Sequence, residues 1–213
     1  SVNAGYNSAV FSNNGKYFVN NWTNSAKPNV ITLHNSNGKL LRTLQTNESV
    51  AEKVRQANFP EKEFIKVPAA DGLTQLNGWM IKPSTFDSNK KYPVLMVQYS
   101  GPNSQQVLDR FGIDWYYALA EEGFIIASVD GRGTGARGEE FRKQTYLNLG
   151  IKESDDQVAA ANYFSTLPYI DADRIGIWGW SYGGYNVLMS MSRGDGVFKA
   201  GVAIAPVTDW RFY

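Results

Sequence analysis

Hydrophobic positions along the chain follow two regimes. Up to residue 47 they come in four short strand-like runs, at 9–12, 16–22, 29–33 and 39–44. Turn-forming stretches separate them: Asn13-Asn14-Gly15, Ala26-Lys27-Pro28 and Asn37-Gly38. Four short antiparallel strands make one propeller blade, and a lone blade cannot bury both faces. Segment 1–47 therefore reads as the C-terminal, blade-like part of a β-propeller domain, or as a strand addition to the main domain. Segment 48–58 predicts a short linker helix. From Phe59 the pattern changes to strands alternating with helices. Strand-like runs at 63–67 and 76–81 flank Ala70-Asp71-Gly72 as a hairpin. Buried-type strands follow at 92–98, 124–129, 174–178 and 200–205, with helices at 113–122, ended by Gly123, and 153–167. A hairpin followed by β-α-β-α-β predicts an α/β class, with a mostly parallel twisted sheet covered on both faces.

One stretch organises the second regime. Gly179-Trp180-Ser181-Tyr182-Gly183 reads G-x-S-x-G, after an apolar run and before the helix-suited Tyr185-Asn186-Val187-Leu188-Met189. Strand, sharp turn, helix is what a nucleophile elbow needs, because the turn exposes the serine hydroxyl. Glycine is required where a tight turn brings backbone segments together and a Cβ would clash. The helix N-terminus after Ser181 offers unpaired N–H groups to a developing oxyanion. By this count the elbow follows the fifth core strand, the α/β-hydrolase arrangement, in which the triad runs Ser, then Asp or Glu, then His.

Composition narrows the chemistry. The chain has 213 residues and 43% apolar content, enough for one large domain or one domain plus part of another. Its net charge of +1 gives no basis for binding nucleic acid. No apolar run approaches the roughly 18 residues of a membrane span, and Ser1-Val2-Asn3-Ala4 lacks the basic start of a signal peptide. With no cysteine and one histidine, His34, thiol catalysis, disulfides and a metal site built on several imidazoles are excluded. No cofactor or metal is expected.

Four ordered motifs carry a resemblance: Tyr99-Ser100-Gly101-Pro102, Asp130-Gly131-Arg132-Gly133-Thr134-Gly135, the stretch Gly176 to Tyr185 around the elbow, and Ala205-Pro206-Val207-Thr208-Asp209-Trp210. Segment 59–213 resembles the N-terminal part of the catalytic domain of prolyl oligopeptidase family serine peptidases, on the dipeptidyl peptidase IV branch. Segment 1–47 resembles that family's closing propeller blade. The resemblance implies that Ser181 is the nucleophile and that the Tyr182 N–H and the Tyr99 phenol form the oxyanion hole. It implies that Tyr182, Val207, Trp210 and Tyr213 line a pocket for a proline ring. It also implies peptide substrates with Pro or Ala near the N-terminus and a homodimer when intact; the expected location is periplasmic or secreted, with the cytoplasm as the alternative.

The chain departs from the family pattern at its end. In this fold the acid follows the seventh core strand and the histidine the eighth, whereas the chain ends after the sixth. His34, in the blade-like segment, reads as an exposed strand-end residue and not as a base. The chain is expected to be an α/β-hydrolase fold truncated after the sixth strand, inactive alone, whose partners are the missing propeller and C-terminal segment of the same protein. The exposed edge of the last strand predicts association or aggregation of the isolated chain.

Three other readings compete. Gly133-Thr134-Gly135-Ala136-Arg137-Gly138 follows a strand and reads G-x-G-x-x-G, with Asp155 and Asp156 about twenty residues on, as in a dinucleotide fingerprint. Against it, Glu139 and Glu140 would repel a pyrophosphate, and a glycine-rich loop beside the site is the better account. A lipase or esterase shares the fold. A catalytically dead binding module would also lack the base.

Overall fold

The computed structural model describes residues 3–213, so the first two residues of the 1–47 segment lie outside the described residues. The chain divides into two compact units, 1–62 with 108–117, and 63–107 with 118–213.

The first unit holds an antiparallel sheet of β1 (Tyr6–Phe11), β2 (Tyr17–Asn24), β3 (Lys27–Asn35) and β4 (Leu40–Gln45), in sequential order. The stretches around Asn13-Asn14-Gly15 and Asn37-Gly38 supply two of its turns, as the sequence pattern requires, whereas the third is Ser25-Ala26, because Lys27 and Pro28 already belong to β3. Its faces are poorly covered: Val10, Phe11, Leu40, Leu41 and Leu44 are exposed. Helix α1 (Glu48–Ala57) follows. Segment 108–117 joins this unit through backbone and side-chain bonds. The Tyr6 N–H donates to the Asp109 carbonyl at 3.0 Å, and the Ser25 N–H donates to the Asp109 carboxylate at 2.7 Å. His34 lies within β3, half-buried, with its ring stacked on Phe18 at 4.9 Å and Nε2 2.9 Å from the Thr32 hydroxyl. It does lie at the strand end, one residue before Asn35, but it is not exposed as the pattern suggested; cross-strand pairing with Phe18 packs it.

The second unit is built on a six-stranded sheet. Its strands are β5 (Lys62–Pro68), β6 (Gln75–Ile81), β7 (Tyr92–Val97), β8 (Ile125–Asp130), β9 (Ile170–Trp180) and β10 (Ala200–Ile204). Their spatial order is β10-β9-β7-β8-β6-β5. The β7–β8, β7–β9 and β9–β10 pairs are parallel, and β6 runs antiparallel to β8. Every residue of β8 is buried, which is why it reads as a continuous apolar run and not as an alternation. The elbow strand β9 starts four residues before its apolar stretch, because Ile170 pairs with Tyr92 across a register shift.

The helices are α2 (Trp115–Glu121), α3 (Glu139–Arg142), α4 (Ile151–Ser165) and α5 (Tyr182–Arg193). The α4 helix starts two residues earlier than its apolar pattern, because Gly150 turns the chain at φ 85° and the Glu153 carboxylate accepts the Gly150 N–H at 2.9 Å. Its Ala160, Ala161 and Phe164 are fully buried in the core with Met96, Ile125 and Ile175. The short α3 has no apolar stripe. Surface ion pairs from Glu139 to Arg142 and Lys143 accompany it instead. No helix among the described residues is long and apolar enough to cross a membrane.

Candidate active site

The carboxyl ends of β7 and β9 lie side by side, with Val97 opposite Trp178, and the Gln98 N–H donates to the Trp178 carbonyl at 3.1 Å. Ser181 therefore emerges next to Tyr99. The serine sits between strand and helix at φ 56°, ψ −117°, a strained conformation for a residue with a Cβ. Its backbone is held from both sides: its N–H donates to the Ile204 carbonyl at 2.9 Å, and its carbonyl accepts from the Tyr185 N–H at 3.0 Å. Its hydroxyl does not cap the helix it precedes, so it is left for other chemistry. Helix α5, twelve residues long, begins at the next residue, so its positive N-terminus lies beside Ser181.

The glycines act by close approach. A Cβ on Gly179 would lie 2.3 Å from the Gly183 carbonyl oxygen, and one on Gly183 would lie 2.6 Å from the Gln98 carbonyl oxygen and 3.0 Å from the Tyr99 Cα. These are backbone atoms that cannot swing aside. Gly183→Ala is expected to push the elbow away from the end of β7 and to lower turnover about a hundredfold, the scale of an ångström-sized misplacement of reacting groups. Gly112→Ala, whose Cβ would meet nothing within 4 Å, should leave turnover and melting temperature unchanged. Steady-state kinetics with a melting curve for each variant checks both.

Buried polar side chains brace the elbow from below. The Gln98 side-chain amide donates to the Gly183 carbonyl at 2.9 Å, and its oxygen accepts from Ser100 at 2.9 Å and Asn186 at 3.0 Å. Gln157 on α4 donates to the Ser100 hydroxyl and to the Val129 carbonyl.

A chain of aromatic rings extends from the elbow. The rings of Tyr99 and Tyr182 lie 6.0 Å apart, those of Tyr182 and Trp210 5.6 Å, and those of Trp210 and Tyr213 5.5 Å. Sequence reasoning named these four residues, and the structure brings them together with Ser181. Val207, also named, is half-buried in the segment between β10 and the 3-10 turn at Trp210–Phe212. Two neighbours were missed. Tyr185 packs edge-on against Tyr182 at 5.5 Å and against Trp210 at 5.2 Å. Glu153, fully buried, accepts the Tyr182 phenol at 2.6 Å. Burial raises the Glu153 pKa above the ordinary carboxylate value, while the Tyr182 bond opposes this. Burial and then the bond to Glu153 push the Tyr182 phenol well above its usual value, so it stays a protonated donor.

The glycine-rich loop after β8 is occupied by structural bonds. The Asn103 N–H donates to the Gly133 carbonyl at 2.9 Å, and the Gly135 N–H donates to the Ser104 carbonyl at 2.8 Å. The acids placed for a ribose are engaged as well: Asp156 holds Arg132, and Asp155 pairs with Arg193 at 2.7 Å.

A strained serine between a parallel strand and a helix, at the fifth strand of a sheet ordered in this way, defines an α/β-hydrolase. Residues 111–213 match the prolyl oligopeptidase family. The chain is 41% identical over 214 residues to a probable dipeptidyl-aminopeptidase B of Pyrenophora teres f. teres, covering 99% of this chain and 23% of that protein. It is 40% identical over 212 residues to dipeptidyl peptidase 4 of Bos taurus, covering 98% of this chain and 27% of the relative. Its fold superimposes on the crystal structure of Porphyromonas gingivalis dipeptidyl peptidase 4 with a TM-score of 0.96 and 56% identity, across 100% of this chain and 30% of the other. The chain thus spans less than a third of each of these proteins. Its residues 111–213 carry the match to the prolyl oligopeptidase family, and these proteins, which it resembles over its whole length, are named as dipeptidyl peptidases.

Proposed function

We propose that this chain carries the nucleophile and much of the substrate pocket of a serine exopeptidase that releases N-terminal dipeptides or tripeptides after Pro or Ala. The observation that carries this reading is Ser181, held at φ 56° on a strand-to-helix turn with its hydroxyl uncommitted to the helix cap. The naming of the relatives as dipeptidyl peptidases supports the substrate class.

In this reading the Ser181 hydroxyl attacks the carbonyl of the scissile bond. Its proton passes to a histidine supplied from outside this sequence, since the one histidine present is packed in β3. The oxyanion that develops accepts from the Tyr182 N–H and the Tyr99 phenol. The shortened peptide departs as the leaving amine with a proton from the histidine, and water, giving its proton to the histidine, then attacks the acyl-enzyme and releases the N-terminal dipeptide or tripeptide. Flat walls from Tyr182, Trp210 and Tyr213 suit a rigid, apolar proline ring.

The test uses a fluorophosphonate probe on two samples, the 213-residue chain and the intact protein, with an intact mass for each. Labelling of the intact protein at Ser181, with none on the 213-residue chain, is the expected result. An intact protein that hydrolyses acyl esters but not a Gly-Pro anilide would favour an esterase. One that is neither labelled nor active would be a binding module.

A further inference from the structure

Helix α4 does more than cover the sheet. Its first turn and the residue just before its cap hold the phenols of both tyrosines in the first turn of α5. Glu153 takes the Tyr182 phenol at 2.6 Å, the length of a charge-assisted O–H···O bond, and the Leu149 carbonyl takes the Tyr185 phenol at 3.3 Å. Glu153 is itself fixed, because its second oxygen accepts the Gly150 N–H at 2.9 Å. Gly150 has no room for a side chain, since a Cβ there would lie 2.1 Å from the Tyr185 phenol oxygen. Tyr182 is 6% exposed and Glu153 0%, so neither can exchange its partner for water. Trp210 then packs tilted against the Tyr182 ring and edge-on against the Tyr185 ring.

We propose that Glu153 is a positioning residue for specificity, anchoring the Tyr182 ring through its phenol so that Tyr182 and Trp210 form a pocket wall of fixed shape. The inference rests on the reading of this pocket as the seat of the residue before the scissile bond. Tyr182 has a double task there. Its N–H follows the nucleophile, and its ring walls the pocket. The backbone bonds of the elbow already hold the N–H, through the Ser181 N–H to the Ile204 carbonyl and the Tyr185 N–H to the Ser181 carbonyl. The ring has only Glu153 at its polar end. Losing Glu153 should therefore blur the fit for a proline ring more than it slows the chemistry. A loosened wall discriminates less between a rigid ring and a methyl group, and apolar pockets distinguish such groups by about tenfold or more.

The experiment compares kcat/KM for Gly-Pro and Gly-Ala anilides in the intact protein and four variants: Glu153→Leu, Glu153→Gln, Tyr182→Phe, and Glu153→Leu with Tyr182→Phe. The ratio of the two values does not depend on how much of a sample is folded, so partial misfolding cannot imitate the effect. Glu153→Leu and Tyr182→Phe are each expected to lower the Pro-to-Ala ratio about tenfold, mainly through KM for the proline substrate. The double variant should fall no further, because both changes break one bond. Glu153→Gln should stay within about threefold of the wild type, since an amide bonds both the phenol and the Gly150 N–H. An unchanged ratio in Tyr182→Phe or Glu153→Leu overturns the proposal. Wild-type protein that cleaves neither anilide overturns the reading of the pocket itself, and the proposal with it.

Discussion

Replacing Ser181 with alanine in the intact protein should lower peptide hydrolysis by about five to six orders of magnitude and abolish fluorophosphonate labelling. The scale follows from the role. A nucleophile and its base act as one unit, so removing the hydroxyl removes the benefit of both. What remains is the oxyanion hole and pocket acting on water. The fold should not change, because alanine meets the same positive φ of 56° that serine already bears, and the hydroxyl contributes no helix cap. Binding should survive as well. A proline-based inhibitor that fills the pocket without reacting should bind the variant with nearly unchanged Kd, as the Tyr182, Trp210 and Tyr213 rings are untouched. Activity above about one per cent of wild type, in a sample free of contaminating peptidase, would move the nucleophile away from Ser181.

That prediction rests on features that were legible in the sequence. Two strands of glycine logic meet at the elbow, and both are local: the turn needs glycine at 179 and 183, and the helix begins at once. Strands β7 and β8 were legible because burial on both faces demands unbroken apolar runs. The features that stayed hidden depend on what a residue meets across the fold. Glu153 looks like an ordinary first-turn acid, complementing the helix dipole and bonding back to the Gly150 N–H. Nothing local says that it is also fully buried against a phenol 29 positions later in the chain. Tyr185 is one turn beyond Tyr182 on α5, so the i, i+3 spacing could have flagged it once Tyr182 was suspected. His34 was misjudged because an alternating strand does not reveal which cross-strand neighbour covers a ring. The short α3 was missed because four residues without an apolar stripe give no period to detect.

The same non-local logic makes Arg132 a costly structural side chain to remove. It lies in the loop after β8, with its side chain 11% exposed, and forms 2.7 Å and 3.0 Å ion pairs with Asp156 and Asp71. Asp156, on α4, is 0% exposed. Its oxygens also accept the Ala70 N–H at 3.0 Å and the Arg132 N–H at 2.8 Å. One carboxylate thus ties the β5–β6 turn, the loop after β8 and α4 together, with Arg132 as its counter-charge. Arg132→Met would leave that carboxylate in the interior without compensation. The expected loss is about 3–5 kcal/mol, a drop in melting temperature on the order of 10 °C. Asp71 would respond less. Its carboxyl is held at about 2, below the ordinary value, first by the Thr74 and Leu73 N–H groups of its own turn and only last by Arg132. A depressed carboxyl stabilises the fold above its unfolded pKa and loses that contribution as pH falls through the folded value. The decline attributable to Asp71 should therefore lie between about pH 4 and pH 2, and it should persist in Arg132→Met, because the turn N–H groups remain. Asp71→Asn should remove it. Adding Asp156→Asn to Arg132→Met should recover part of the lost stability at neutral pH, since the buried charge goes, while one of the two N–H groups, held on separate carboxylate oxygens, loses its acceptor to the amide NH2. Urea unfolding of the three variants against wild type decides the matter. If the double variant is no more stable than Arg132→Met, packing around Arg132 is what holds this corner, and the uncompensated charge is not the cause of its loss.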